Sequence, residues 1–171
     1  MGPSLAVGGD LGRPQAGREL SAVRLPDWDE LLDPDGPWAW LLRSGAGGVW
    51  LLRELAEEVD GLEARIVSGA RCARLDGLLN EWSTALDAPP DVTSWPELAR
   101  AAWLPGEARA VLVTDAEHVL ALERGALSRA LGTLREAAVG AEPPLRVVFQ
   151  TTVGDDSAFA VFREFDVAEV S

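Results

Sequence analysis

The sequence predicts an α/β fold in which helices cover a mainly parallel sheet. Short apolar runs bounded by Gly or Pro alternate with segments whose apolar residues recur at helical spacing, which is typical of this class. Hydrophobic residues make up 47% of the 171 residues, enough for a substantial core. At this length roughly 70% of the unfolded chain's surface is buried on folding. No apolar run approaches the roughly 20 residues that span a bilayer.

The first part of the chain divides into a lead-in and an extension. Residues 1–25 contain Gly and Pro but no apolar segment preceded by basic residues, so we expect a flexible lead-in and no secretory signal. Residues 26–63 predict an N-terminal extension with a strand at 38–42, a turn at 45–48 and a helix at 49–59. We expect this strand to lie beside the strand that contains Ile66.

Residues 64–171 predict the main domain. Helix 75–86 has an apolar stripe, and the shorter helix 94–103 has Pro96 in its first turn and Glu97 at the capping-box position. Residues 159–165 alternate apolar and polar side chains, which favours an antiparallel strand at the C-terminal edge of the sheet. The remaining predicted elements are strands at 62–67, 110–114 and 145–151 and a helix at 125–139.

The charge balance limits the partners. The chain has 28 acidic and 15 basic residues, a net charge of −13, and every basic residue is Arg. A surface this negative repels nucleic acid and anionic lipid, so we expect neither and favour a protein partner, with the chain itself a monomer or weak homodimer. The single cysteine, Cys72, excludes an internal disulfide and favours a reducing, cytoplasmic setting. The Arg, Ala and Gly content indicates a GC-rich, bacterial genome.

Residues that could carry catalysis are few. His118 is the one histidine and lies in an acidic segment, and Cys72 fits a buried thiol better than a nucleophile. The glycine-rich residues 45–48 follow a predicted strand and precede a predicted helix, as a phosphate-binding loop would, but they lack the Gly-Lys-Ser/Thr ending. We therefore expect no enzyme, cofactor or metal site, and an enzyme or small-molecule binder is the least favoured of three hypotheses.

A family resemblance adds to this interpretation over residues 64–150. The helix that runs to Leu86 and stops at Pro89 is followed by Trp95 in a short helix and by Trp103. The other segments are RIVSG at 65–69, SWPEL at 94–98, VLVTD at 111–115, LREA at 134–137 and LRVVF at 145–149. In order and spacing these segments resemble the barstar family of intracellular ribonuclease inhibitors. The resemblance implies a barstar-like domain that occludes a secreted ribonuclease or related toxin with acidic side chains.

The partner-binding residues that the resemblance implies lie mainly in the loop and short helix after residue 86. They are Asp87, Asp91, Trp95, Glu97, Trp103 and Glu136. Two replacements depart from the family pattern, because Pro96 and Arg100 stand where it has carboxylates. The alternative is therefore a barstar-like adaptor that has lost ribonuclease inhibition and binds another protein or itself.

The seven tryptophans divide into two groups by context. Four lie on apolar stripes and are expected in the core: Trp38, Trp40, Trp50 and Trp82. Three lie in loops or short helices, where the core and an exposed binding surface are equally compatible with the pattern: Trp28, Trp95 and Trp103.

Overall fold

The computed structural model describes residues 30, 33, 35–43, 63–101, 109–141, 145–154 and 156–170. Within them the chain forms a five-stranded sheet in which every pairing is parallel. The strands are β1 (Ala39–Arg43), β2 (Glu63–Ser68), β3 (Arg109–Thr114), β4 (Leu145–Thr151) and β5 (Val167–Val170). The predicted lead-in and the predicted helix at 49–59 lie outside the described residues.

The helices follow the strands in turn. They are α1 (Leu75–Ala85), α2 (Trp95–Ala101), α3 (Arg124–Val139) and α4 (Ala160–Arg163), with short 3-10 turns at Gly69–Arg71, Ala116–His118 and Asp156–Phe159. Strands alternating with helices and an all-parallel sheet confirm the predicted α/β class. No helix among the described segments is both long and apolar enough to cross a membrane.

The strand order is β2-β3-β4-β1-β5. The N-terminal strand was expected beside Ile66, but β1 lies between β4 and β5, with Leu41 in register with Phe149 on one side and Glu169 on the other. The connections from β2 to β3, β3 to β4 and β4 to β5 all progress in one direction across the sheet. Right-handed crossovers then place α1 to α4 on a single face.

The C-terminal element differs from its prediction. The segment expected to be an antiparallel strand at 159–165 contains the end of a 3-10 turn and α4, and the strand follows at β5, parallel to β1. The alternation of FAVFREF also places Phe159 and Phe162 three residues apart, which is helical spacing, and both rings are buried. Trp38 anchors this region, because its Nε1 donates to the carbonyl of Phe165 at 2.6 Å.

The principal core lies between the sheet and the helices. Val67, Val113 and Phe149 face it from the strands, and Leu78, Trp82, Leu127 and Leu134 face it from α1 and α3. The opposite sheet face carries an apolar row in register across the strands: Ile66, Leu112, Val148 and Trp40. The last three are buried, and Ile66 on the edge strand β2 is exposed. Both faces of the sheet are thus apolar, as buried parallel strands require.

Candidate functional site

The carboxyl edge of the sheet is the first candidate site. In open parallel α/β sheets, ligands bind outside the carboxyl ends of the strands, near the point where the strand order reverses. Here β1 is flanked by β4 and β5, so that point lies at the ends of β1 and β4. The side chains gathered at this edge are Arg43, Thr151 and, after β3, Asp115 and Glu117.

Asp115 directly follows β3 in a left-handed backbone conformation, with φ of 50°. Aspartate tolerates this region better than most residues, and its carbonyl accepts the amide of His118 at 3.0 Å, which closes the 3-10 turn. Gly69 packs against the same bend, since a Cβ there would lie 2.5 Å from the carbonyl oxygen of Asp115. Close backbone contact therefore fixes the position of Asp115 at the sheet edge.

Glu117 and Thr151 join the ends of β3 and β4. The hydroxyl of Thr151 donates to Oε2 of Glu117 at 2.7 Å and accepts the amide of Val153 at 3.0 Å. Thr151 is fully buried, and Arg124 donates to the Glu117 carbonyl at 3.1 Å. The carboxylate and the hydroxyl therefore satisfy each other.

Arg43 ends β1 and is the basic side chain at this edge. Its Nη1 donates to the carbonyl of Val153 at 3.4 Å, its Nη2 lies 3.9 Å from Glu169, and its guanidinium lies 5.6 Å from the ring centre of Phe159. These contacts direct Arg43 toward β5 and the turn after β4.

The chain after β1 has the wrong residues for a nucleotide phosphate. When Gly48 is aligned with the second glycine of the phosphate-loop motif, Val49 and Trp50 occupy the positions of its Lys and Ser/Thr, and Arg43 occupies that of its first Gly. Those two motif residues contact the phosphates and the magnesium ion. Residues 44–62 lie outside the described part of the chain. The segment after β1 therefore lacks the side chains with which a phosphate loop holds the phosphates and the magnesium ion.

Two of the sequence-predicted site residues have structural roles. Trp95 is 7% exposed, packs edge-to-face on Trp82 with ring centres 5.4 Å apart, and donates from Nε1 to the Ala130 carbonyl at 3.0 Å. Glu97 accepts the amides of Thr93 and Ser94, each at 3.1 Å, which confirms the predicted capping box. These hydrogen bonds, chiefly from the Thr93 amide, lower the pKa of Glu97.

The other predicted site residues are scattered. Asp87 follows α1 with φ of 49° and accepts from Arg65 at 2.8 Å. Asp91 and Glu136 are exposed, in the loop before α2 and on α3 respectively. Trp103 lies outside the described residues.

Two buried groups away from the sheet edge are structural. Burial raises the pKa of the Cys72 thiol to about 12, and its Sγ lies 3.2 Å from the Ser68 carbonyl, so Cys72 is a poor nucleophile. Arg146 is buried on β4 and donates to the carbonyls of Leu145 and Asp33, and burial lowers its pKa. No group of three or more potential metal ligands occurs among the residues that the structure describes.

Comparison with solved structures identifies a fold likeness. The chain is similar to Cdc6p from Pyrobaculum aerophilum, with a TM-score of 0.52 and 17% identity over 78% of this chain and 38% of that chain. Drosophila ORC bound to GC-rich or AT-rich DNA and Cdc6 gives TM-scores of 0.48 and 0.45 at 16% identity, over 80% of this chain and 49% or 48% of that chain. These latter scores are too low to support a comparison. No family model matches the sequence, and no curated protein matches it.

The chain therefore has an α/β fold with an all-parallel five-stranded sheet in the order β2-β3-β4-β1-β5, and this fold is similar to that of part of Cdc6p. This chain spans less than half the length of each of these three chains. At such low identity the likeness concerns the fold alone.

The barstar resemblance is consequently wrong, and so are the ribonuclease-inhibitor and adaptor functions that it implied. The segments that carried it form strands and helices of an α/β fold whose parallel sheet places β1 between β4 and β5. The burial of Trp95 also removes that side chain from the surface that was to contact a toxin, and the exposed Glu97 carboxylate is engaged in capping α2.

Proposed function

We propose that this chain is an AAA+-type domain that neither binds nor hydrolyses nucleotide. Its proposed role is to bind another protein through its surface. The observation that carries the proposal is the carboxyl edge of the sheet, where Glu117 and Thr151 are bonded to each other and Arg43 is directed toward Val153 and Glu169. The absence of Lys and Ser/Thr at positions 49 and 50 supports it from the sequence.

Electrostatics favours the same proposal. A triphosphate without magnesium would meet the carboxylates of Asp115 and Glu117 in a chain of net charge −13, and position 50 lacks the Ser/Thr that helps to hold a magnesium ion beside the phosphates. Repulsion between close like charges costs several kcal/mol. A lysine of the phosphate-loop type would offset part of that repulsion, but the sequence contains none.

The test is phosphate release from ATP and GTP with magnesium, measured for the natural chain and for two variants. Asp115→Asn removes the carboxylate after β3, and Asp91→Asn makes the same change in the exposed loop before α2. We expect all three proteins to release phosphate at the rate of the buffer. Magnesium-dependent turnover by the natural chain that Asp115→Asn abolishes and Asp91→Asn preserves would overturn the proposal.

The proposed partner class is protein and not nucleic acid or membrane. The net charge of −13 opposes a phosphate backbone, whose binding requires clustered Lys or Arg. Fluorescence anisotropy with a labelled DNA duplex and a labelled single-stranded RNA at low salt measures this directly. We expect no binding, and saturable binding that weakens with added salt would contradict it.

The proposed oligomeric state is a monomer or a weak homodimer. Light scattering after size exclusion should give the mass of one 18.2 kDa chain, with a rise only at high concentration. A stable hexamer or other large ring would contradict it.

A further inference from the structure

A second candidate site lies on the helix layer. An open groove of about 750 Å³ runs between the start of α1, the start of α2 and the first half of α3. Its volume is within the range of small-molecule sites, roughly 300 to 1,000 Å³. The groove is separate from the carboxyl edge of the sheet, because its lining includes none of the side chains at that edge: Arg43, Asp115, Glu117 and Thr151.

The base of this groove is apolar. Leu75, Leu79, Trp95, Ala126 and Ala130 line it, and Leu75 is 40% exposed. The Trp95 Nε1 is already bonded to the Ala130 carbonyl, so the indole offers the groove carbon atoms and no free donor. An apolar body would therefore be the favoured occupant of the base.

A small void adjoins the base of the groove. Trp95 and Ala130 line this void of about 20 Å³ together with Trp82. The Nε1 of Trp82 is buried and has no hydrogen-bond acceptor among the described residues. A void of this size holds at most about one water molecule, so Trp95 keeps a fixed position at the base of the groove.

The charges at the rim leave one cation available. Glu123 accepts the Leu75 amide at 2.9 Å and lies 3.8 Å from Arg74, and Asp76 accepts the Gly77 amide at 2.9 Å. The guanidinium of Arg129 has no hydrogen bond or ion pair with any residue that the structure describes. The rim carboxylates are thus engaged by their neighbours, while Arg129 can pair with an added anion.

We propose that this groove binds a small organic anion with an aromatic body. The rings lie on Leu75, Leu79 and Ala126, with the small exposed part of Trp95 beneath them, and a carboxylate or sulfonate faces Arg129. Burial of the apolar body supplies most of the affinity, because an exposed ion pair contributes little. The site is independent of the proposed function, since it uses neither the carboxyl edge nor a nucleotide.

The probes are a matched pair of fluorescent molecules: 8-anilinonaphthalene-1-sulfonate and its uncharged analogue N-phenyl-1-naphthylamine. Both become brighter in apolar surroundings, and Trp95 in the floor is a donor for energy transfer to either. We expect saturable binding of the sulfonate with Kd on the order of 10–100 µM, as a ligand of this size permits. The uncharged analogue should bind about 2- to 5-fold more weakly than the sulfonate.

Three variants locate the site. Arg129→Ala should weaken sulfonate binding about 2- to 5-fold and leave the uncharged probe unchanged. Arg135→Ala, on the same helix but outside the groove and paired with Asp166, should bind both probes as the natural chain does. Ala126→Trp fills the groove and should abolish binding of both.

Amide chemical shifts provide a reading that does not depend on the variants. The sulfonate should shift the amides of Leu75, Leu79 and Ala126 and leave those of β5 in place. Absence of saturable binding up to millimolar probe, shifts confined to other surfaces, or equal binding by the natural chain and Arg129→Ala would each overturn the proposal.

Discussion

Replacement of Trp95 by phenylalanine and by alanine separates the two contributions of this side chain to stability. Phenylalanine removes the hydrogen bond to the Ala130 carbonyl, which should cost about 1 kcal/mol, and keeps an aromatic ring against Trp82. Alanine removes the whole indole, which is only 7% exposed, and should cost about 3–5 kcal/mol. The edge-to-face contact accounts for about 0.5–1.5 kcal/mol of this.

Urea unfolding followed by circular dichroism measures these free energies, and a double-mutant cycle of Trp95→Ala with Trp82→Ala isolates the ring contact. Glu136→Ala, at an exposed position of α3, is the control and should change stability by less than about 0.5 kcal/mol. If Trp95→Ala were as stable as the natural chain, Trp95 would not belong to the core, and its description as a structural residue would fail.

Three further outcomes follow from single positions. Burial raises the pKa of the Cys72 thiol to about 12, so Cys72 should react with iodoacetamide at pH 8 only as fast as the protein unfolds, and rapid alkylation of the folded protein would contradict this. Because the thiol ionises more easily in the unfolded chain, the free energy of unfolding should fall between about pH 9 and 12. Hydrogen bonds, chiefly from Thr93, lower the pKa of Glu97, so its contribution to stability should be present above pH 4.5 and lost as the pH falls. Glu97→Gln should therefore reduce the dependence of the free energy of unfolding on pH in the acid range, and an unchanged pH profile would refute this. Gly69→Ala should destabilise the fold by about 3 kcal/mol in urea unfolding, because its Cβ would meet the carbonyl of Asp115, and a neutral effect would show that this bend can relax.

The strands and the longer helices could be predicted because their signals are local. The strand predicted at 145–151 coincides with Leu145–Thr151, and helix 125–139 differs from Arg124–Val139 by one residue at its start. Both elements have apolar residues at the spacing of the structure they form. The capping box at Ser94 and Glu97 was predictable for the same reason, since its partners are three residues apart.

The order of strands could not be predicted in this way. Whether β1 lies beside β2 or between β4 and β5 depends on contacts between residues more than a hundred positions apart, such as Leu41 with Phe149. The expectation that the N-terminal strand lies beside the strand that contains Ile66 was wrong. The segment at 159–165 was also misassigned. Its alternation of apolar and polar residues suits a strand, but the spacing of three positions from Phe159 to Phe162 also suits a helical turn.

The candidate sites were largely invisible in the sequence. Glu117 and Thr151 are 34 residues apart, and no local motif links them. The groove depends on how α1, α2 and α3 pack, so its lining residues have no common spacing. What the sequence did reveal was the missing Lys and Ser/Thr after 45–48, which remains the clearest sign against nucleotide chemistry.

The most direct test of the central claim is a titration of the isotope-labelled protein with magnesium ATP, followed by amide chemical shifts at the carboxyl edge. If the domain is independent of nucleotide, Arg43, Asp115 and Thr151 should keep their shifts up to millimolar ATP. Saturable shifts at those three amides, absent when magnesium is removed, would contradict the account.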